Sequence, residues 1–198
     1  MSLKTRVLQV LNGPTVARIR FRFPIRGSHV TITPQTFHHV AHAIVSGRVT
    51  VQSPKHLPPS VVAQYVIRAN TLQIRSVAGR LNEAQVVHES LHAAYDLLRT
   101  GIDANAEEAS AYVCGALYCR MTGGFRAEWA NDKIWGPAER VAQTLLRQYQ
   151  KGDPGIPMVG EQEWRTLRAG VGLGLYYSTL PAGIFTGWVL GQQYPHDG

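Results

Sequence analysis

Cysteine is scarce: Cys114 and Cys119 are the only two in 198 residues. On one helix, five residues would separate them by about 7.5 Å along the axis, beyond the Cα reach of a disulfide. That excludes a disulfide framework and leaves two free thiols acting as small apolar residues, as suits a reducing compartment. The opening "MSLKTRVLQVLNG" lacks the continuous apolar run of a secretory signal. The chain is therefore expected in the cytoplasm at synthesis, with export by a route that uses no signal peptide left open. No internal repeat and no low-complexity tract occurs. There is no Gly-x-Ser-x-Gly elbow, and the glycines of "AGVGLGLYY" are not followed by the lysine and hydroxyl residue of a phosphate loop. Charge is missing altogether from Ala169 to Pro195. That length could cross a bilayer, but glycines, a proline and hydroxyl residues dilute it. Two short buried segments meeting at "STLPAG" fit better than a span, and membrane contact through residues 169–190 is a minor reading.

What is present describes an ordinary folded protein, with 44% apolar and 17% charged residues. The formal charge is +7 and the pI about 9.7. Such a balance suits nucleic acid, an anionic membrane or an acidic substrate. The basic residues are scattered along the chain (Lys4, Arg6, Arg18, Arg20, Arg22, Arg26, then singly), so no nucleic-acid partner is expected. The length allows one domain with a proper core, residues 1–198.

Residues 15–33 alternate apolar and basic, as strands with one wet face do. Pro34 opens a helical pattern, "PQTFHHVAHAIVSG", stopped by Gly47. The strand "RVTVQ" and the loop "SPKHLPPS" precede "VVAQYVI" and "NTLQIRSV", two neighbouring strands with a turn near Arg68 to Asn70. Then helices take over. Asn82 as N-cap with Gln85 forms a capping box, Leu81 and Val86 a staple, and the helix runs from Glu83 to about Arg99 with Gly101 beyond it. Further helices are expected from Asn105 to Met121, from Pro137 to Gln150, and over "EQEWRTLR". A sheet-rich part (residues 1–80), a helical part (81–168) and a Gly-rich tail (169–198) give an α+β fold.

Inside the first long helix stands "VVHESLHAAYD", residues 86–96, which contains H-E-x-x-H. Positions i and i+4 share a helix face, so His88 and His92 can reach one ion from a rigid support. Neutral imidazole is a preferred zinc ligand. Glu89 lies about 100° round the helix, positioned as a general base for a metal-activated water rather than as a ligand. Val87, Leu91, Ala94 and Leu98 form the stripe that pins the helix to a core. Glu107 and Glu108 at the start of the next helix are the candidate third ligands; as acids in a first turn they also suit the helix dipole, and Glu108 could complete a cap opposite Asn105. His38 and His42 make a second i, i+4 pair, but His39 stands where the glutamate would be and no acid follows nearby. That pair is expected to be a polar helix face, with an incidental metal site or an oxyanion donor in reserve.

"VVHESLHAAYD … EEASAYVCGALY" resembles the gluzincin branch of the zincin metallopeptidases, over roughly residues 82–120. It is most similar to small bacterial zincin-like proteins whose third-ligand helix reads Glu-Glu-Ala followed by Ala-Tyr. The resemblance implies zinc held by His88, His92 and Glu108, with Glu107 as the alternative ligand, and Glu89 as general base. It also implies a zincin-like fold with a sheet edge above the metal helix, where an extended peptide adds as a strand; "NTLQIRSV" is the candidate supporting strand. The implied activity is hydrolysis of peptide bonds in a peptide or protein substrate. The chain departs from the family where an aspartate four residues after the ligand glutamate often orients the first histidine: here stands Tyr112. Tyr112 or Asp96 would take that role, and Tyr112, Tyr95 or His56 would donate to the oxyanion. Two other uses of the same scaffold are a catalytically degenerate binding module and a secreted bacterial effector or toxin.

Overall fold

A computed structural model describes residues 1–54, 57, 61–125, 127–151 and 155–178. The chain opens with a helix that the sequence reading missed, α1 (Leu3–Leu11). Ser2 caps it, its hydroxyl accepting from the Thr5 amide at 3.1 Å, and Val7, Val10 and Leu11 are buried. Their spacing is helical, so the signal was present in a run weighed only as a leader.

After a 3-10 turn at Val16–Arg18, β1 (Phe21–Ile25) and β2 (Ser28–Ile32) form an antiparallel hairpin. The alternation expected there is real: Ile19, Phe21 and Phe23 are buried while Arg18, Arg20 and Arg22 are exposed. Helix α2 (Pro34–Val45) begins at its proline as expected, with Thr33 and Thr36 forming a capping box. Three short strands follow, β3 (Thr50–Gln52), β4 (Ala63–Val66) and β5 (Thr71–Ile74), in the order β3-β5-β4. β4 and β5 pair antiparallel around a 3-10 turn at Ile67–Ala69, close to the expected turn, and β3 lies parallel to β5. Among the described residues of the first 80, two helices stand beside five strands, so this part is less sheet-rich than expected.

The helical part is built on α3 (Arg80–Leu98) and α4 (Ala104–Thr122), followed by α5 (Trp135–Gln150) and α6 (Glu161–Ser178). Asn82 is not the N-cap of α3. Gly79 is, at φ +88°, a conformation that glycine adopts without strain, so the chain turns into the helix earlier. Asn82 instead donates its side-chain amide to the Ala78 carbonyl at 2.8 Å. The exit is unexpected too: Arg99, not a glycine, takes the left-handed C-cap at φ 50°. Asp103 rather than Asn105 caps α4, accepting from the Ala106 amide at 3.0 Å, which removes any capping role for Glu108. Val87, Leu91 and Ala94 are buried as expected, whereas Leu98 is 50% exposed.

α5 begins two residues before Pro137, because one Asp132 carboxylate oxygen accepts from both the Ile134 and Trp135 amides at 2.8 Å. α6 runs unbroken through residue 169 to Ser178, so the expected tail has no boundary at its start. "STLPAG" and all after it, apart from Ser178, lie outside the described residues, as do His56 and most of "SPKHLPPS". No helix among the described residues is long and apolar enough to cross a membrane. One contiguous core runs from Val7 to Val171 and takes in Cys114 and Cys119, both free and buried. Architecture is mixed α and β, with the strands in the first part of the chain and α3 to α6 after them.

Candidate metal centre

α3 and α4 pack side by side, joined by the short link between Arg99 and Asp103. This brings the middle of one helix against the first turns of the other. His88 and His92 project from successive turns of α3, and their Nε2 atoms lie 3.2 Å apart. Glu108 reaches across from α4: Oε1 is 3.3 Å from His88 Nε2, and Oε2 is 3.2 Å from His92 Nε2. All three side chains are largely shielded from solvent.

The spacing can be tested against a metal. Zinc bonds of about 2.0–2.1 Å in a tetrahedron set neighbouring donors about 3.3–3.4 Å apart. The separation of the two Nε2 atoms, 3.2 Å, is close to that figure, and each Glu108 oxygen stands at a similar distance from one imidazole, Oε1 at 3.3 Å from His88 and Oε2 at 3.2 Å from His92. Two imidazoles and a carboxylate are also a donor set that borderline cations favour. His88, His92 and Glu108 therefore form a group able to hold a metal ion.

The electrostatics agree. Burial alone would push the Glu108 carboxyl up, but the His92 and His88 imidazoles outweigh it and bring it well below the usual carboxylate range. Burial likewise disfavours a charged His92, yet Glu108 and Glu107 together hold its value well above that of an ordinary imidazole. These shifts mark a pocket that attracts positive charge between the two helices.

Glu107 stands outside this group and behind His92. Its Oε1 stands 2.7 Å from His92 Nδ1, the nitrogen opposite the one that faces the centre. A carboxylate there fixes the ring and its tautomer, leaving Nε2 as the free donor. The Glu107 carbonyl accepts from the Ser110 hydroxyl at 2.7 Å, and Ser110 in turn meets Tyr95 Oη at 2.8 Å, tying α3 to α4 just behind the site. Glu107→Gln keeps an acceptor but removes the charge, and is expected to weaken zinc affinity by about tenfold or more. Competition titration against a chromophoric chelator measures it; unchanged affinity would deny Glu107 this role.

His88 has no such support. Among the described residues its Nδ1 is buried without a hydrogen-bond partner, and no carboxylate meets that nitrogen. Tyr112 occupies that place and meets His88 through its ring, edge-on at 4.8 Å between centroids. Trp135 backs Tyr112 at 5.2 Å, and Trp129 stacks on Trp135 at 4.6 Å. The first histidine is thus braced by aromatic packing, not by a charge-assisted hydrogen bond.

Glu89 lies beside these three side chains, with Oε1 4.0 Å from His88 Nε2. Its other oxygen, Oε2, accepts from the Tyr65 backbone amide in β4 at 2.8 Å. The carboxylate therefore bridges the outer strand of the sheet and the centre. Burial raises its pKa; the neighbouring histidines and the Tyr65 amide pull in the opposite direction. The sequence carried no sign of Tyr65. Besides its amide on Glu89, its hydroxyl donates to Asp96 Oδ2 at 2.6 Å, clamping β4 onto α3. That contact engages Asp96, which the sequence left as a possible partner of His88. Tyr95, one of the three candidate oxyanion donors with Tyr112 and His56, is buried with its hydroxyl engaged by Ser110.

His38 and His42 stay exposed on α2, and among the described residues they join no group of possible metal ligands. No family model, curated protein or solved structure matches the chain.

Proposed function

We propose that the protein is a zinc-dependent metallopeptidase of the zincin type, with His88, His92 and Glu108 as metal ligands and Glu89 as general base. The observation that carries this reading is the convergence of two imidazole Nε2 atoms and the Glu108 carboxylate at 3.2–3.3 Å, with a second carboxylate, Glu89, alongside and held by a strand amide. Bound zinc would supply a Lewis acid that polarises a carbonyl and acidifies water. The chain's own residues do the rest. Glu89, its carboxyl pKa raised by burial, takes and returns a proton at Oε1 while Oε2 stays on the Tyr65 amide. Glu107 keeps His92 Nδ1 protonated.

The strand register supports a peptide substrate. The Arg75 amide bonds the Val62 carbonyl at 2.9 Å, so in the antiparallel β4–β5 pair the hydrogen-bonded positions fall on Val62 and Gln64. The backbone groups of Ala63 and Tyr65 point away from β5, towards the side where Glu89 meets Tyr65. An extended peptide added there would run its backbone past the centre, with main-chain hydrogen bonds giving affinity.

A second reading, a zinc-binding scaffold without peptidase activity, draws on the missing partner at His88 Nδ1. Metal content tests both. The purified protein is expected to hold zinc at one equivalent, and His88→Ala to lose it while keeping its helical circular dichroism. Zinc retained by that variant would remove the centre from His88. Cleavage of a peptide library by the zinc-loaded protein separates peptidase from scaffold.

A further inference from the structure

The first 82 residues contain eleven lysines and arginines and not one aspartate or glutamate; all thirteen acids lie from Glu83 onwards. The net charge of +7 thus conceals a strongly divided molecule. Along the sequence these cations look scattered. In the fold, one group of them lies on the first hairpin and the turn that leads into it.

Arg20 and Arg22 alternate with Ile19, Phe21 and Phe23, whose side chains fill the core, so the two arginines share the outer face of the β1–β2 hairpin. Residues two apart on a strand stand about 7 Å from each other. Arg18 precedes them on the 3-10 turn, Arg26 sits in the hairpin turn, and all four are exposed. Thr31 lies opposite Arg22 and His29 opposite Pro24, adding polar groups to the same face. Among the described residues no carboxylate pairs with any of these arginines.

The row is built on a fixed backbone. Tyr149 Oη donates to the Arg20 carbonyl at 2.5 Å and its ring lies 5.5 Å from the Arg20 guanidinium. The Arg22 amide donates to the Pro157 carbonyl at 2.7 Å, and its carbonyl accepts from Val159 at 2.8 Å. Phe23 packs on Trp164 at 4.5 Å beneath. The end of α5 beside Tyr149 adds Arg147 and Lys151, both exposed, in an acid-free stretch from Arg140 to Lys151.

We propose that this outer face, Arg18, Arg20, Arg22 and Arg26 with Tyr149 behind them, binds the phosphate backbone of nucleic acid. Guanidinium forks match phosphate oxygens, and a pre-set row of them costs little ordering on binding. An anionic membrane shares the phosphate chemistry but fits less well. Among the described residues the large exposed apolar side chains, Met1, Val45, Leu98 and Leu173, all lie off the hairpin, so its outer face offers cations and no large exposed apolar group to a bilayer. This surface is separate from the metal centre and does not depend on the peptidase reading.

The test is fluorescence anisotropy of a labelled DNA duplex with the full chain, over a salt series. Four phosphate contacts predict a slope of about −3.6 for log affinity against log salt, or about 150-fold weaker binding from 50 to 200 mM. The triple variant Arg18→Gln, Arg20→Gln, Arg22→Gln is expected to bring the slope to about −0.9. Removing the same charge elsewhere, as Lys4→Gln, Arg6→Gln, Arg48→Gln, is expected to leave the slope near that of the parent. Glu89→Gln is expected to bind like the parent, which keeps this result distinct from the fate of the catalytic reading. Equal losses in the two triple variants would reduce the effect to net charge and overturn the proposal. So would binding to phosphatidylserine vesicles without binding to the duplex.

Discussion

Replacing Glu89 with glutamine is expected to lower peptide cleavage by about 10²–10⁴-fold while zinc content and fold stay unchanged. Glutamine has almost the same shape, and its amide oxygen can still accept from the Tyr65 amide as Oε2 does now. What it cannot do is take a proton. The variant thus separates the base from the strut. Cleavage of a quenched fluorescent peptide library by parent and variant, both loaded with zinc, gives the ratio. A variant that cleaves within twofold of the parent would remove Glu89 from the chemistry. A variant that loses zinc as well would make Glu89 part of the cage, which its placement beside the donor triangle does not suggest.

Zinc affinity is expected to rise steeply with pH, and to keep rising well above the ordinary imidazole value of 6.5. In the metal-free protein Glu108 and Glu107 hold a proton on His92, and zinc must displace it. Each pH unit below the raised His92 value then costs about tenfold in affinity, so three units amount to about 10³-fold. Glu108 does not add to this near neutrality, because the histidines keep its carboxyl well below the usual range.

The stability of the metal-free protein moves the other way. The raised His92 contributes stability that is full below 6.5 and lost as pH rises through its folded value. The lowered Glu108 contributes stability that is present above 4.5 and lost as pH falls. Both shifts report one interaction, whose benefit is therefore greatest between those two values. Thermal melts with and without zinc between pH 5 and 9 are expected to diverge as pH rises. Curves that stay parallel would show that zinc displaces no proton from His92.

The helix carrying H-E-x-x-H, the strand pair before it and the helix opened by Pro34 were all legible, because they follow from periodicity and local breakers. The caps were not. Gly79 and Asp103 took the places expected of Asn82 and Asn105, since the start of a helix depends on where the incoming chain is held as much as on which side chain can cap. α1 went unread though its apolar spacing was plain. The arginine row on the hairpin was hidden for a different reason: charge density is a property of a surface, and linear spacing does not measure it.

By itself the sequence determined His88, His92 and Glu89, because four residues along an α-helix return to the same face and one residue turns by about 100° whatever surrounds it. Only the tertiary structure decided between Glu107 and Glu108. Neighbours on one helix point in different directions, and the packing of α4 against α3 turned Glu108 to the donor triangle and Glu107 to the back of His92. The same packing put an aromatic ring, not a carboxylate, beside His88, and brought the Tyr65 amide from a separate strand to the base.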